Sequence, residues 1–307
     1  MVKKKIFLID GGMGQELIHR SKKKPDSLWS AKVLLDEYDL VVELHKDFIK
    51  AGANAITLNS YSITPHRLEK HNLTDMFITL QQKAIAAAKD AINQIETDIK
   101  IKILGSLPPL IASYQKTIGL DKNDALEAYK KIVDIQVRNV DVFLCETVSS
   151  IEEALIVSEV ALQSQKPVWL SFSVDEDNGA LLRSGEKLND ALKEFDKSKI
   201  DAFLVNCSPP EVIDKAVNIM KSYSKPFGAL ANGFETTKPL FPGENVSVLK
   251  KRDDFNETKF VDSVVSNIEN NASIVGGCCE VSPDYISAIH KRILNLNYTI
   301  TNAIGGF

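Results

Sequence analysis

Only four of the 307 residues are cysteine, at positions 145, 207, 278 and 279, too few for a disulfide framework of the kind that staples small secreted folds. No apolar run approaches the roughly 20 residues needed to span a bilayer as a helix. The opening "MVKKKIFLID" carries only four apolar residues between its lysines and an aspartate. That is too short for a signal-peptide core and reads instead as a first buried strand. The five histidines are dispersed, and none stands at ligand spacing from another or from a cysteine. Basic residues are scattered under a net charge of −4, so nothing draws the chain to nucleic acid or to an anionic membrane. A glycine-rich dinucleotide turn is also missing, because "DGGMGQ" does not keep its spacing. These absences predict a cytoplasmic protein with small-molecule partners, whose thiols serve as metal ligands or nucleophiles.

What is present is a regular alternation. Eight short apolar runs recur at 5–9, 55–58, 101–105, 141–145, 168–172, 202–206, 227–231 and 273–277. They are apolar throughout rather than at every second position, as parallel strands buried on both faces require. Amphipathic stretches lie between them. Leu40, Leu44 and Phe48 recur at one-turn spacing ahead of Gly52, a C-terminal stop. Ser150 and Glu153 have capping-box spacing, and Ser282-Pro283 suits the start of the last helix. Residues 174–186 read as a long polar loop. Eight such units favour a single closed (β/α)8 barrel, typically of about 250 residues, spanning 1–307 with a short tail from about 295. An open doubly wound sheet is the alternative.

In a barrel of this kind the chemistry sits at the C-terminal ends of the strands. The residues there are polar or thiol-bearing: Asp10-Gly11-Gly12, Cys145-Glu146, Asn206-Cys207, Asn232 and Gly276-Gly277-Cys278-Cys279. Cys207, Cys278 and Cys279 fall at the ends of the sixth and eighth runs and together suit a soft or borderline metal, zinc above all. Three protein ligands leave a coordination position open, the mark of a catalytic site. The glycine pair is expected to let the backbone turn sharply so that both adjacent thiols reach one ion. The alternatives are three small buried residues, or a strained disulfide between the adjacent pair. Cys145 reads as core and His45 as structural. His66 reads as a rim or loop residue, and Trp29 as a cover for the site or a staple for the first loop.

The stretches "DGGMGQEL", "DSLWSAKVLL", "VVELHKDFIKAGANAITLNSY", "FLCETV", "VNCS" and "GGCC" resemble, in order, the homocysteine S-methyltransferase family. The resemblance runs from residue 10 to about 286 and is closest to the short enzymes that use S-methylmethionine or S-adenosylmethionine. The chain ends soon after "GGCC", without room for a further arm or cobalamin and folate domains. The resemblance implies that Cys207, Cys278 and Cys279 hold Zn2+, and that the metal deprotonates the thiol of homocysteine for attack on a sulfonium methyl. It further implies that Glu146 pairs with a substrate ammonium group, and that Asp10 with the Gly11-Gly12 backbone contacts an amino-acid end. Asn232 would stand at the open metal position.

The sequence departs from the family at Gln15, at "GSLPPLIASY", at "LANGFE" and at Glu280, all on the rim that shapes the donor pocket. The competing readings are a metal-free (β/α)8 lyase or hydrolase using Asp10 and Glu146, and a non-catalytic zinc- or thiol-binding relative.

Overall fold

Strands that are apolar on both faces need cover on both sides, and this chain supplies it by wrapping eight of them into a ring lined with helices. The computed structural model describes residues 3–23, 28–240 and 246–304. Asp26 and Ser27 of the "DSLWSAKVLL" stretch, and the last residues of the tail, lie outside them. The chain begins with β1 (Lys5–Leu8), α1 (Met13–Arg20), α2 (Ser30–Asp36), α3 (Tyr38–Lys50) and β2 (Ala55–Thr57). Next come α4 (Pro65–Glu69), α5 (Phe77–Asn93), β3 (Lys102–Leu107), α6 (Lys122–Gln136), β4 (Val142–Val148) and α7 (Ile151–Gln163). They are followed by β5 (Val168–Phe172), α8 (Leu188–Asp196), β6 (Ala202–Asn206), α9 (Pro210–Met220) and β7 (Phe227–Ala231). The last are α10 (Glu257–Glu269), β8 (Ile274–Gly277), α11 (Pro283–Asn295) and β9 (Thr299–Ile300).

All strand pairings in the ring are parallel, in the order β2-β3-β4-β5-β6-β7-β8-β1. The (β/α)8 barrel expected from the alternation is therefore the fold. It closes between β1 and β2 through one bridge, Ile9 to Ala55, with the Asp10 N–H donating to the Ala55 carbonyl at 3.1 Å. Below that bridge β1 and β2 do not pair, and β9 fills the gap. It sets Thr299 beside Lys5 and Ile300 beside Ile6, while the Asn54 side-chain amide donates to the Thr301 carbonyl.

Alternation along the strands sorts two cores. Phe7, Leu144, Trp169, Leu204 and Ile274 fill the inside of the barrel, with Phe7 meeting Trp169 edge-on at 5.1 Å between centroids. Ile6, Phe143, Leu170 and Phe203 face the helices in the outer layer. Cys145 belongs to this outer set and is buried, as its position on a strand suggests. The next side chain, Glu146, consequently faces inward.

Local signals act as written, with informative exceptions. Helix α3 buries Leu44 and Phe48, and Gly52 beyond it takes φ +105°, the left-handed conformation glycine adopts most readily. Ser150 caps α7 by accepting from the Glu153 N–H at 3.1 Å. The reciprocal arm is displaced by one residue, since the Glu153 carboxylate accepts from Ser149 N–H. Ser282 stands at the start of α11 with Pro283 in its first turn but makes no side-chain cap. The polar segment after β5 folds back through bridges from Val174 to Leu182 and from Leu181 to Lys187, which tucks residues 174–187 over the barrel mouth before α8 begins.

His45 is fully buried on α3, and neither ring nitrogen has a hydrogen-bond partner among the described residues. Burial pushes its pKa down to about 3. The unfolded chain therefore takes up the proton first, and stability present above about pH 6.5 is lost as pH falls. Between pH 6.5 and 5 the loss amounts to about 2 kcal/mol from this group. Denaturation of wild type and His45→Leu at the two pH values is expected to show a shallower acid loss in the variant. Equal slopes would remove His45 as the cause.

Candidate active site

Cys207 follows β6, and Cys278 and Cys279 follow β8, so that the three sulfurs lie within 4.8 Å of one another at the C-terminal mouth of the barrel. Cys207 and Cys278 are joined as a disulfide across a Cα–Cα distance of 5.7 Å, while Cys279 is a free, buried thiol. The bond runs from the end of one strand to the end of another, not between the adjacent cysteines. Burial, reinforced by Glu280 and Glu146, pushes the Cys279 thiol up to about 12. A protonated thiol and a disulfide are both poor ligands, whereas three thiolates in the same place are a soft donor set for a thiophilic metal. The donor chemistry fits a metal once the pair is reduced. Buried Asn232 follows β7, and its side-chain Nδ2 has no hydrogen-bond partner among the described residues. It is not among the residues that line the cavity described below.

The glycines before the thiols act differently from expectation. Gly276 and Gly277 stay in extended β8, and neither has a positive φ. A Cβ at Gly276 would meet the Ile9 and Asp10 carbonyls at 2.9 Å, so close packing of β8 on β1 is what requires glycine. The sharp turn comes two residues after Cys278, at Glu280, with φ +67°. Its carboxylate accepts from the Gln15 side-chain amide at 2.8 Å and lies 3.2 Å from His19 Nε2. Gln15 in turn accepts from the Trp29 indole N–H at 3.1 Å. The two family departures at Gln15 and Glu280 are thus one linked pair.

Two carboxylates stand on the same rim. Asp10, at the end of β1, accepts from the Thr57 N–H at 2.8 Å and the Thr57 hydroxyl at 3.0 Å. Glu146, on β4, accepts from the Ser106 hydroxyl at 2.5 Å. Burial pushes both up to about 7, and Glu146 adds to the shift on Asp10 by charge repulsion. The Gly12 N–H is engaged by the Val281 carbonyl at 2.9 Å, and no hydrogen bond among the described residues takes the Gly11 N–H.

Several rim residues hold left-handed backbone that non-glycine residues adopt at a cost of about 1–3 kcal/mol each. They include Tyr114 (φ +63°), Thr147 (φ +60°) and Cys207 (φ +50°). Each is tied down. The Asn206 side chain accepts from Thr147 N–H at 2.9 Å and donates to the Thr147 hydroxyl at 2.9 Å. Arg183 donates to the Cys207 carbonyl at 3.1 Å and lies 4.7 Å from the Tyr114 ring. Its ion pair with Glu176, at 3.2 Å, leaves the two side chains only 8% and 6% exposed. Glu176 also accepts from Thr236 and Thr237, both beyond β7.

These elements enclose a cavity of about 330 Å³. Asp10, Gly11, Gly12, Glu146, Cys207, Cys278 and Cys279 all line it, so the strand ends do converge as expected. Trp29 and Tyr61 form aromatic wall, with ring centroids 5.6 Å apart. His66 sits half-buried on α4 and does not line the cavity. Sequence reasoning assigned no role to Thr57, Ser106, Asn206, Arg67 or Arg183. Asn206 was visible as a strand-end residue. Arg183 carried no signal, because its position depends on how the loop after β5 folds back.

The sequence pattern of the homocysteine S-methyltransferase family matches residues 7–293 of the chain. The chain belongs to this family. Relatives include the selenocysteine Se-methyltransferase of Brassica oleracea var. italica, 28% identical over 94% of this chain and 89% of that protein. Homocysteine S-methyltransferase 2 of Arabidopsis thaliana is 27% identical over 94% of this chain and 93% of that protein. Among solved structures, the metallated form of the homocysteine methyltransferase MmuM from Escherichia coli superposes with a TM-score of 0.78. It is 23% identical over 94% of this chain and 97% of that one, a likeness of fold.

As a member of the homocysteine S-methyltransferase family the chain is an enzyme, and its sulfur cluster makes a direct prediction. Reduced protein is expected to take up about one zinc per chain by metal analysis, and Cys278→Ser to lose it. Oxidised protein should present about two fewer titratable thiols and bind no metal there. Equal uptake by the oxidised protein or by the variant would refute the three-sulfur site.

Proposed function

We propose that the chain transfers a methyl group from a sulfonium donor, S-methylmethionine or S-adenosylmethionine, to the thiol of L-homocysteine, giving methionine. The observation that carries this reading is the convergence of three cysteine sulfurs and two buried carboxylates on one cavity. Cys207, Cys278 and Cys279 are the residues to hold Zn2+, which when bound lowers the pKa of the substrate thiol into the neutral range. No helix among the described residues is long and apolar enough to cross a membrane, in keeping with a cytoplasmic enzyme of small molecules.

The chain's own residues bind and orient. Glu146 pairs with the ammonium group of homocysteine, Asp10 supports it from β1, and the Gly11 N–H donates to the same amino-acid end. Both carboxylates are held near neutrality by burial, so an arriving cation favours their ionised forms. Asn232, which follows β7, would supply its side-chain oxygen to the open ligand position when homocysteine is absent. In the transfer, the homocysteine sulfur forms a new bond to the methyl carbon as the donor's S–CH3 bond breaks. The donor leaves as a neutral thioether, and the thiol proton passes to solvent. Positioning of the two sulfurs in line supplies much of the acceleration. The name of the Brassica relative supports selenocysteine as a second acceptor to assay.

Methionine formation by reduced, zinc-loaded protein with homocysteine and either donor tests the reading, and no product with either donor would sink it. Glu146→Gln is expected to raise KM for homocysteine about 10- to 100-fold through loss of a charge-assisted hydrogen bond. Protonated Glu146 cannot attract an ammonium group, so kcat/KM should fall as pH drops below about 7. Glu146→Gln should flatten that limb, and an unchanged profile would remove Glu146 from the role.

A further inference from the structure

We infer that Arg67, with Lys70 three residues further on, forms a carboxylate subsite in the cavity that receives the α-carboxylate of the methyl donor. This deepens the sulfonium-donor reading above and rests on it.

Short helix α4 fixes Arg67 firmly. Thr64 accepts from the Arg67 N–H at 3.2 Å and donates to the Leu110 carbonyl at 2.6 Å. The guanidinium donates from Nε and Nη2 to the Pro109 carbonyl at 3.3 and 3.0 Å, and it lies 5.2 Å from the centre of the Tyr61 ring. Arg67 and Lys70 both line the cavity.

The charge on Arg67 has no carboxylate partner within ion-pair distance among the described residues. Arg20, Arg183 and Arg252 contrast with it, pairing respectively with Glu16 and Asp47, with Glu176, and with Glu211 and Asp254. Burial lowers the affinity of Arg67 for its proton, and the neighbouring Tyr61 and Glu153 offset this only in part. The nearest acids, Glu146 and Glu153, feel the Arg67 charge but stay beyond ion-pair distance, Glu146 hydrogen-bonded to Ser106 and Glu153 to Ser149 N–H. Lys70 is exposed and also makes no ion pair among the described residues.

The cavity consequently carries both signs of charge: Asp10 and Glu146 beside the sulfurs, and Arg67 with Lys70 on α4, with Trp29 and Tyr61 on the wall. An amino-acid sulfonium matches that arrangement, its cationic sulfur toward the sulfur cluster and its carboxylate toward α4. The donor is favoured over the acceptor by topology. Arg67 follows β2, which stands across the ring from β6 and Cys207 and two strands from β8, and in the reading proposed above Asp10 and Glu146 take the amino-acid end of the acceptor. A planar guanidinium suits a carboxylate better than the point charge of lysine does.

The test is equilibrium binding by calorimetry, using reduced zinc-loaded protein with S-methylmethionine and with its methyl ester. Wild type is expected to bind the acid about 10- to 100-fold more tightly than the ester. Arg67→Gln should lose that preference and Arg67→Lys recover part of it, with homocysteine binding unchanged in both. Equal affinity of wild type for acid and ester would overturn the subsite without any variant being needed. Equal weakening of both ligands in a destabilised Arg67→Gln protein would reduce Arg67 to a structural role. A shift confined to homocysteine would move the subsite to the acceptor and overturn the assignment to the donor. Turnover is followed separately. Charge-selective donor binding without methyl transfer keeps the subsite and refutes the transfer reading, and transfer without charge selectivity does the reverse.

Discussion

The mouth of the barrel depends on one buried ion pair. Arg183 and Glu176 come from the same polar segment after β5, yet between them they reach the loops after β3, β6 and β7. Two charges withdrawn from water must be well paired to be tolerated, and this pair gains further hydrogen bonds from Thr236, Thr237 and Ser173. The pair holds Cys207 by its carbonyl rather than by its sulfur. The left-handed backbone at Cys207 and Tyr114 persists because the same guanidinium over-determines both. A site that must gather sulfurs from separate strands is thus fixed by a segment that contributes no sulfur.

Much of the barrel was legible because parallel strands buried on both faces leave an unmistakable apolar run, and each of the eight runs corresponds to a strand of the ring. Strand-end residues were equally legible, since the fold dictates which end carries chemistry. What escaped was whatever depends on neighbours distant in sequence. Gly276 and Gly277 read as a turn, but Gly276 serves close packing of β8 on β1 and Gly277 makes room for the Val281 side chain, and no local pattern separates those uses. The second half of the Ser150 capping box moved to Ser149 because the Glu153 carboxylate turned inward beneath the rim. The disulfide between Cys207 and Cys278 joins positions 71 residues apart, a proximity that sequence spacing alone does not give.

The electrostatics of the cavity follow from where water is excluded. Asp10, Glu146 and Glu153 are all pushed toward neutrality by burial, yet each retains at least one donated hydrogen bond. Such acids are poised: a modest change in local charge decides whether they are ionised. Glu146 repels the charge on Asp10, and Arg67 eases the charge on Glu146, so a further cation beside them favours ionisation. The rim at Asp10 and Glu146 therefore favours a positively charged group.

Strand β9 gives the molecule a particular history. Residues 299–300 pair with residues 5–6, so β1 acquires this neighbour only after the eight strand–helix units have been made. Until then the lower edge of β1 carries unpaired backbone donors and acceptors, open to any other extended segment. Non-local parallel pairing of this kind is slow, because the closing loop must give up its freedom before the contact repays it. The nascent barrel is accordingly an open arc for most of its synthesis. Its vulnerability to mispairing lies at β1, and its protection arrives with β9.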